Sequence, residues 1–121
     1  MNDCIFCKII NKEIPSRVIY EDDMVIAYLD INPFQAGHTL IVPKTHYKDL
    51  DDITEETITH IMKTAKIVKK KIEEKLQPGG IKLVQNNGSL QDVKHYHLHV
   101  IPNYKNKKKT DVEEVFKMLT K

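Results

Sequence analysis

His95-Tyr96-His97-Leu98-His99-Val100-Ile101 sets three histidines in strict alternation with apolar residues and runs into Pro102. A period of two predicts a β-strand over 95–101, with the imidazoles on one face and Tyr96, Leu98 and Val100 on the other. The apolar side can pack on a core. The other side is chemically loaded, because histidine changes charge near neutral pH and serves as base, nucleophile or metal ligand. A polar face with only local hydrogen bonds is a weak account of so regular a row, and the stretch points to an enzyme.

Side chains on one strand face stand roughly 7 Å apart, so His95 and His99 should be separated by about 13 Å. One metal ion, with bonds near ~2.1 Å, cannot take all three. The three histidines therefore have different tasks. One scheme is a hydrolytic metal site in which two imidazoles and a carboxylate activate water. It needs a third ligand, and no HExxH-like partner occurs in the chain. Another is a histidine nucleophile whose second ring nitrogen is held by an acceptor, either a neighbouring imidazole or a backbone carbonyl.

Working outward, Val18–Tyr20 and Met24–Leu29 read as strands joined by the acidic turn Glu21-Asp22-Asp23, and Thr39–Val42 as a third strand stopped by Pro43. Ile81–Gln85 is a fourth. Ile58, Ile61, Met62, Ala65, Val68, Ile72 and Leu76 form a helical stripe, with Asp52 and Thr54 as candidate N-caps and Pro78-Gly79-Gly80 as the stop. His60, beside the stripe, reads as a partly exposed helix histidine. Short helices are expected from Cys4 to Asn11 and over Val112–Leu119. The order implies an α+β fold with a five-stranded antiparallel sheet, one long helix and a short helix at each end. The 121 residues read as one domain, with a solvated basic segment at 105–109 and a tail helix over 110–121.

Composition is that of an ordinary folded protein, with 40% hydrophobic and 30% charged residues. No apolar run approaches the ~20 residues that span a bilayer. The N-terminus has neither the basic flank nor the long apolar region of a signal peptide, so a cytoplasmic location is expected. The net charge of +2 argues neither for nor against a polyanionic partner. Arg17 is the single arginine, which weakens a nucleic-acid reading because base-edge readout leans on arginine.

Cys4-x-x-Cys7 has the spacing of half a zinc site. A redox pair would follow a strand, and no strand precedes Cys4. Two buried apolar cysteines remain open as an alternative.

His95-x-His97-x-His99 followed by two apolar residues resembles the signature of the histidine triad (HIT) proteins. Ile5-Phe6-Cys7-Lys8-Ile9-Ile10, Glu13-Ile14-Pro15, Tyr20-Glu21-Asp22-Asp23, Asp30-Ile31 and Gly37-His38-Thr39-Leu40-Ile41-Val42-Pro43-Lys44 are similar to its HINT branch. The resemblance, from Cys4 to Pro102, implies a HIT-like fold and hydrolysis or transfer of nucleoside 5′-phosphate conjugates, such as purine phosphoramidates, adenylated amines or dinucleoside polyphosphates. It implies a covalent nucleotidyl-histidine on His97, with His99 and His38 on the phosphate side and His95 orienting His97. No magnesium is needed in such a scheme. Asp30 would accept the ribose hydroxyls, Ile5, Phe6, Ile9, Tyr28 and Ile31 would line the base pocket, and Asn86, Gln91 and Asp92 would lie by the nucleotide. A structural zinc held by Cys4, Cys7, His46 and His95 is implied, as is a homodimer. A zinc-dependent hydrolase and a nucleotide sensor without turnover are the alternatives.

The 86–92 loop departs from the family pattern. Ser89-Leu90 leads directly into Gln91-Asp92, without the glycine that family members often carry before the glutamine. Asp92 stands where a leaving-group donor is often found, and an ionised carboxylate cannot donate.

Overall fold

A computed structural model describes residues 4–106 and 111–121. The elements run α1 (Ile5–Ile10), β1 (Val18–Glu21), β2 (Val25–Leu29), β3 (Thr39–Pro43), α2 (Glu55–Leu76), β4 (Gly80–Gln85), β5 (Leu98–Asn103) and α3 (Val112–Thr120). The five strands form one antiparallel sheet in the order β1-β2-β3-β5-β4. This is the expected α+β architecture. The basic segment foreseen at 105–109 lies outside the described residues from 107 onward.

Apolar residues on both faces bury the central strand β3 and its neighbour β2 completely. Every residue of β2 and β3 is buried. Val25, Ala27, Leu29, Ile41, Leu98 and Val100 join Ile61, Ala65, Val68 and Ile72 of α2 in the larger core, with α3 closing it through Val115 and Leu119. On the other face Ile26, Tyr28, Leu40 and Val42 meet Phe6 and Ile9 of α1. Burying each large aliphatic side chain contributes about 1.5–3 kcal/mol, so the double-sided burial holds the sheet on which the site is built. Three layers follow: the sheet lies between the long helix on one face and the small N-terminal helix on the other.

Local signals account for the ends of α2. The Thr54 hydroxyl accepts from the Thr57 amide at 3.1 Å, and Gln77 adopts a left-handed conformation at the C-cap. The other candidate cap, Asp52, serves the preceding turn instead, accepting from the amides of Lys48 and Asp49. His60 projects from α2 to Asp22, with Nε2 2.7 Å from Oδ2, and ties the helix to the β1–β2 turn.

One boundary differs in a way that matters. The strand expected over 95–101 starts only at Leu98, although Tyr96 and Leu98 still face the larger core and His95 and His97 the Phe6 side. Leu98, His99 and Val100 pair with Ile41, Leu40 and Thr39, and the ladder to β3 stops there. The Tyr96 amide donates to the Tyr47 carbonyl at 2.7 Å, and Pro43 has no amide hydrogen to offer. Residues 95–97, before Leu98, are held by loop and side-chain bonds. A short 3₁₀ turn at Gly88–Leu90 was also not foreseen in the loop before it.

Gly37 allows the turn that delivers His38 to the sheet. Its φ is +89°, and a Cβ there would lie 2.7 Å from Cδ1 of buried Leu76 and 3.4 Å from Cγ of Pro102. Gly37→Ala is expected to destabilise the protein by about 1–3 kcal/mol. Urea denaturation checks this, and an unchanged midpoint would contradict it.

Candidate active site

Four imidazoles occupy one buried row on the α1 side of the sheet. His38, His95, His97 and His99 are all buried. β3 and β5 bring His38 and His99 together, because Leu40 pairs with His99 and His38 lies two residues before Leu40 on the same face. The rings of His97 and His99 are 4.8 Å apart, those of His38 and His99 5.2 Å. The edge of Phe6 from α1 meets His97 at 4.9 Å.

Backbone groups fix which nitrogen of each ring carries the proton. His97 Nδ1–H donates to the main-chain carbonyl of His95 at 2.7 Å, which leaves Nε2 with its lone pair. The Phe34 amide donates to His38 Nδ1 at 3.2 Å, so His38 carries its proton on Nε2 and donates it to His99 Nδ1 at 2.9 Å. His99 then carries its own proton on Nε2. The result is a lone pair on His97 beside a donor on His99. Burial lowers the pKa of His99 to about 4, helped by the neighbouring His97 and His38 rings, and burial likewise lowers His38. Both rings are neutral at physiological pH.

His95 faces elsewhere. Its Nε2–H donates to the Pro43 carbonyl at 2.8 Å, which turns the Nδ1 lone pair toward Cys4 Sγ at 3.3 Å and Cys7 Sγ at 3.5 Å. His46 Nδ1 is 3.1 Å from Cys7 Sγ. The four ligand atoms lie within 4.8 Å of one another and could hold a metal ion. Two sulfurs and two imidazole nitrogens suit tetrahedral zinc, and four protein ligands leave no open position for a reacting water. Cys4 also caps α1 by accepting from the Cys7 amide, so a metal here would tie that helix to the segment before β5. A second cluster, Asp30, His38 and His99, is equally compact. Its His38 Nε2 is the protonated nitrogen, because Phe34 occupies Nδ1, so that ring offers no lone pair to an ion.

The remaining expected residues divide. Phe6, Ile9 and Tyr28 are buried together beside the histidine row, whereas Ile5 and Ile31 are exposed. Asp30 realises the turn with Oδ1, which accepts from the Asn32 amide, and holds Oδ2 3.7 Å from His38 Nε2. Asn86 and Asp92 line a cavity of about 410 Å³ together with His99. Asp92 Oδ1 is 3.7 Å from His97 Nε2. Gln91 points away into the protein, its amide donating to the Lys48 carbonyl at 2.7 Å, so it anchors the loop. Sequence reasoning missed Phe34, which stacks on His38 at 5.3 Å and walls the cavity. An aromatic after Asn32-Pro33 in a loop carries no such signal. It missed Lys82 in the same cavity as well, since an exposed strand lysine reads as surface.

This is a small α+β protein with a histidine relay on one sheet face and a thiol–imidazole cluster at its end. The chain belongs to the HIT domain family, whose model matches residues 11–106. It is 45% identical to a HIT-like protein of Methanocaldococcus jannaschii, over 94% of this chain and 96% of that one. It is 43% identical to the adenosine 5′-monophosphoramidase of Saccharomyces cerevisiae, over 82% of this chain and 61% of the yeast protein. A zinc-bound histidine triad protein of Mycobacterium smegmatis superposes with a TM-score of 0.90 at 35% identity, covering 98% of this chain and 91% of that one. Among the described residues no helix is long and apolar enough to cross a membrane.

The neutral His99 makes stability pH-dependent. An ordinary histidine titrates near ~6.5, so between that pH and about 4 the unfolded chain binds a proton that folded His99 does not. Stability is therefore full above pH 6.5 and falls as the pH drops toward 4. Urea unfolding is expected to show a loss of about 1–2 kcal/mol from this group between pH 7.5 and 5, and His99→Asn should flatten that slope. An equal slope in the variant would contradict it.

Proposed function

We propose that the protein is a nucleotidyl hydrolase or transferase that cleaves nucleoside 5′-phosphate conjugates through a covalent intermediate on His97. The observation that carries this reading is the bond from His97 Nδ1–H to the His95 carbonyl, which leaves a lone pair on Nε2 next to the Nε2–H of His99. In the first step Nε2 bonds to the α-phosphorus and the bond to the leaving group breaks. Its electron pair stays with the leaving group, which takes a proton from water. In the second step the hydroxyl so left, or its equivalent, attacks phosphorus and the electron pair returns to Nε2.

His99 Nε2–H donates to a phosphoryl oxygen, and the Phe34 amide and His38 hold that donor without adding charge. His95 acts through its main-chain carbonyl. The nucleoside lies against Phe6, Ile9 and Tyr28, with the exposed Ile5 and Ile31 closing over the base and the free Asp30 oxygen accepting a ribose hydroxyl. Asn86 and Asp92 face the leaving group and Gln91 supports their loop. Similarity to the yeast monophosphoramidase supports a purine phosphoramidate as substrate.

Cys4, Cys7, His46 and His95 would hold a structural zinc, and similarity to the zinc-bound mycobacterial protein supports that assignment. Zinc there would lock the α1 end of the site and take no part in the reaction. A homodimer fits the open edge strand β4, where Leu83 is exposed, and the flank of α2 bearing exposed Met62. The whole chain works as one domain, and the cytoplasm is the fitting compartment.

His97→Ala should lower turnover of adenosine 5′-phosphoramidate by at least about 1,000-fold while circular dichroism reports a folded chain. Wild-type protein stripped of metal but still folded should keep its turnover. Unchanged turnover in the variant would overturn the nucleophile. Turnover that vanishes on chelation and returns with zinc would favour a zinc hydrolase.

A further inference from the structure

The loop before β5 carries a group that the relay does not use. Gln91 is buried with its amide on the Lys48 carbonyl, and the Lys94 ammonium donates to the Gly88 carbonyl. Between these two anchors Asp92 projects outward, 81% exposed, with Oδ1 3.7 Å from His97 Nε2. That distance is too long for a hydrogen bond. It places a carboxylate within one atomic layer of the nitrogen that would meet phosphorus. The same carboxylate lines the 410 Å³ cavity next to His99, whose walls include exposed Phe34 and Leu90 and whose floor includes Ile101.

We infer that Asp92 is a specificity-determining residue that selects amine over oxygen leaving groups, an inference that rests on the nucleotidyl transfer proposed above. The reason is the sign of the charge that develops on the departing atom. When a P–N bond breaks, nitrogen takes up a proton and becomes ammonium-like while still near phosphorus. Asp92 accepts its N–H and stabilises the positive charge. When a P–O bond breaks, the electron pair leaves on an oxygen that gains negative charge, and Asp92 repels it. A hydroxyl in this place would donate to that oxygen; a carboxylate has no hydrogen to give.

Lys82 lines the same cavity and bears the opposite charge. It stands two residues along β4 from Val84, the residue paired with His99, so it lies ~7 Å farther down the strand. It also lines the adjoining cavity of about 480 Å³ with Phe34 and Ile101. Its ammonium therefore meets the remote part of a leaving group, and Asp92 meets the departing atom. The apolar lining between them suits a carbon-rich amine.

The test compares wild type with Asp92→Asn and Asp92→Ser on two adenosine 5′-phosphate conjugates, the n-propyl phosphoramidate and the p-nitrophenyl ester. The readout is the ratio of kcat/KM for the amine conjugate to that for the phenyl ester, in which intrinsic reactivity cancels between proteins. Both variants are expected to lower this ratio by about tenfold, with the ester gaining most in Asp92→Ser. A ratio that stays within about twofold of wild type in both variants would overturn the inference, even where both rates fall together. Wild-type protein that cleaves neither conjugate would overturn the nucleotidyl reading, and this inference with it. Cleavage that depends on His97 with a constant ratio would overturn this inference alone.

Discussion

The main-chain carbonyl of Pro43 accepts the Nε2–H of His95 at 2.8 Å, and much of the local architecture follows from that one bond. It fixes the His95 tautomer and turns the Nδ1 lone pair toward Cys4 and Cys7. It occupies the carbonyl at the end of β3, where the ladder to β5 has already stopped at Leu98. Released from the ladder, residues 95–97 can present the His95 carbonyl to the His97 ring. A regular strand would have spent that carbonyl on a neighbour. The break in regular structure is thus what makes the ring orientation possible.

His95 consequently serves two places without conflict. Its ring belongs to the thiol–imidazole cluster, and its carbonyl holds the His97 ring in the histidine row. The same economy governs His38, whose Nδ1 is committed to the Phe34 amide and whose Nε2–H is committed to His99. Each ring is oriented by a backbone group or by a ring that a backbone group has oriented, so the arrangement is as rigid as the doubly buried sheet beneath it. Neutral imidazoles suit this setting, since burial penalises charge and lowers His99 to about 4.

Periodicity made the fold legible: the alternation at 95–101, the stripe through Ile61, Ala65, Val68 and Ile72, and the apolar runs of β2 and β3 each matched an element. The strand start at 98 was hidden, because side-chain alternation persists through 95–97 although the ladder does not. The histidine row was visible as a row. The division of labour within it was not, since tautomers depend on carbonyls and amides of Pro43, His95 and Phe34 that spacing cannot locate. Strand arithmetic put His95 and His99 about 13 Å apart, and in the structure they belong to separate side-chain clusters. The bond from the Gln91 amide to the Lys48 carbonyl was hidden as well, because a side chain's direction in an irregular loop is decided by what lies beneath it.

The central claim is that a free Nε2 on His97, held from behind and paired with a donor on His99, is a nucleophile toward phosphorus. The most direct measurement is mass spectrometry of the intact protein and its peptides after a brief alkaline quench with adenosine 5′-phosphoramidate, conditions under which a phosphorus–imidazole bond survives. The account predicts one adenylyl group per chain, mapped to His97. Steady turnover with no adduct at any quench time, or an adduct on another histidine, would contradict it.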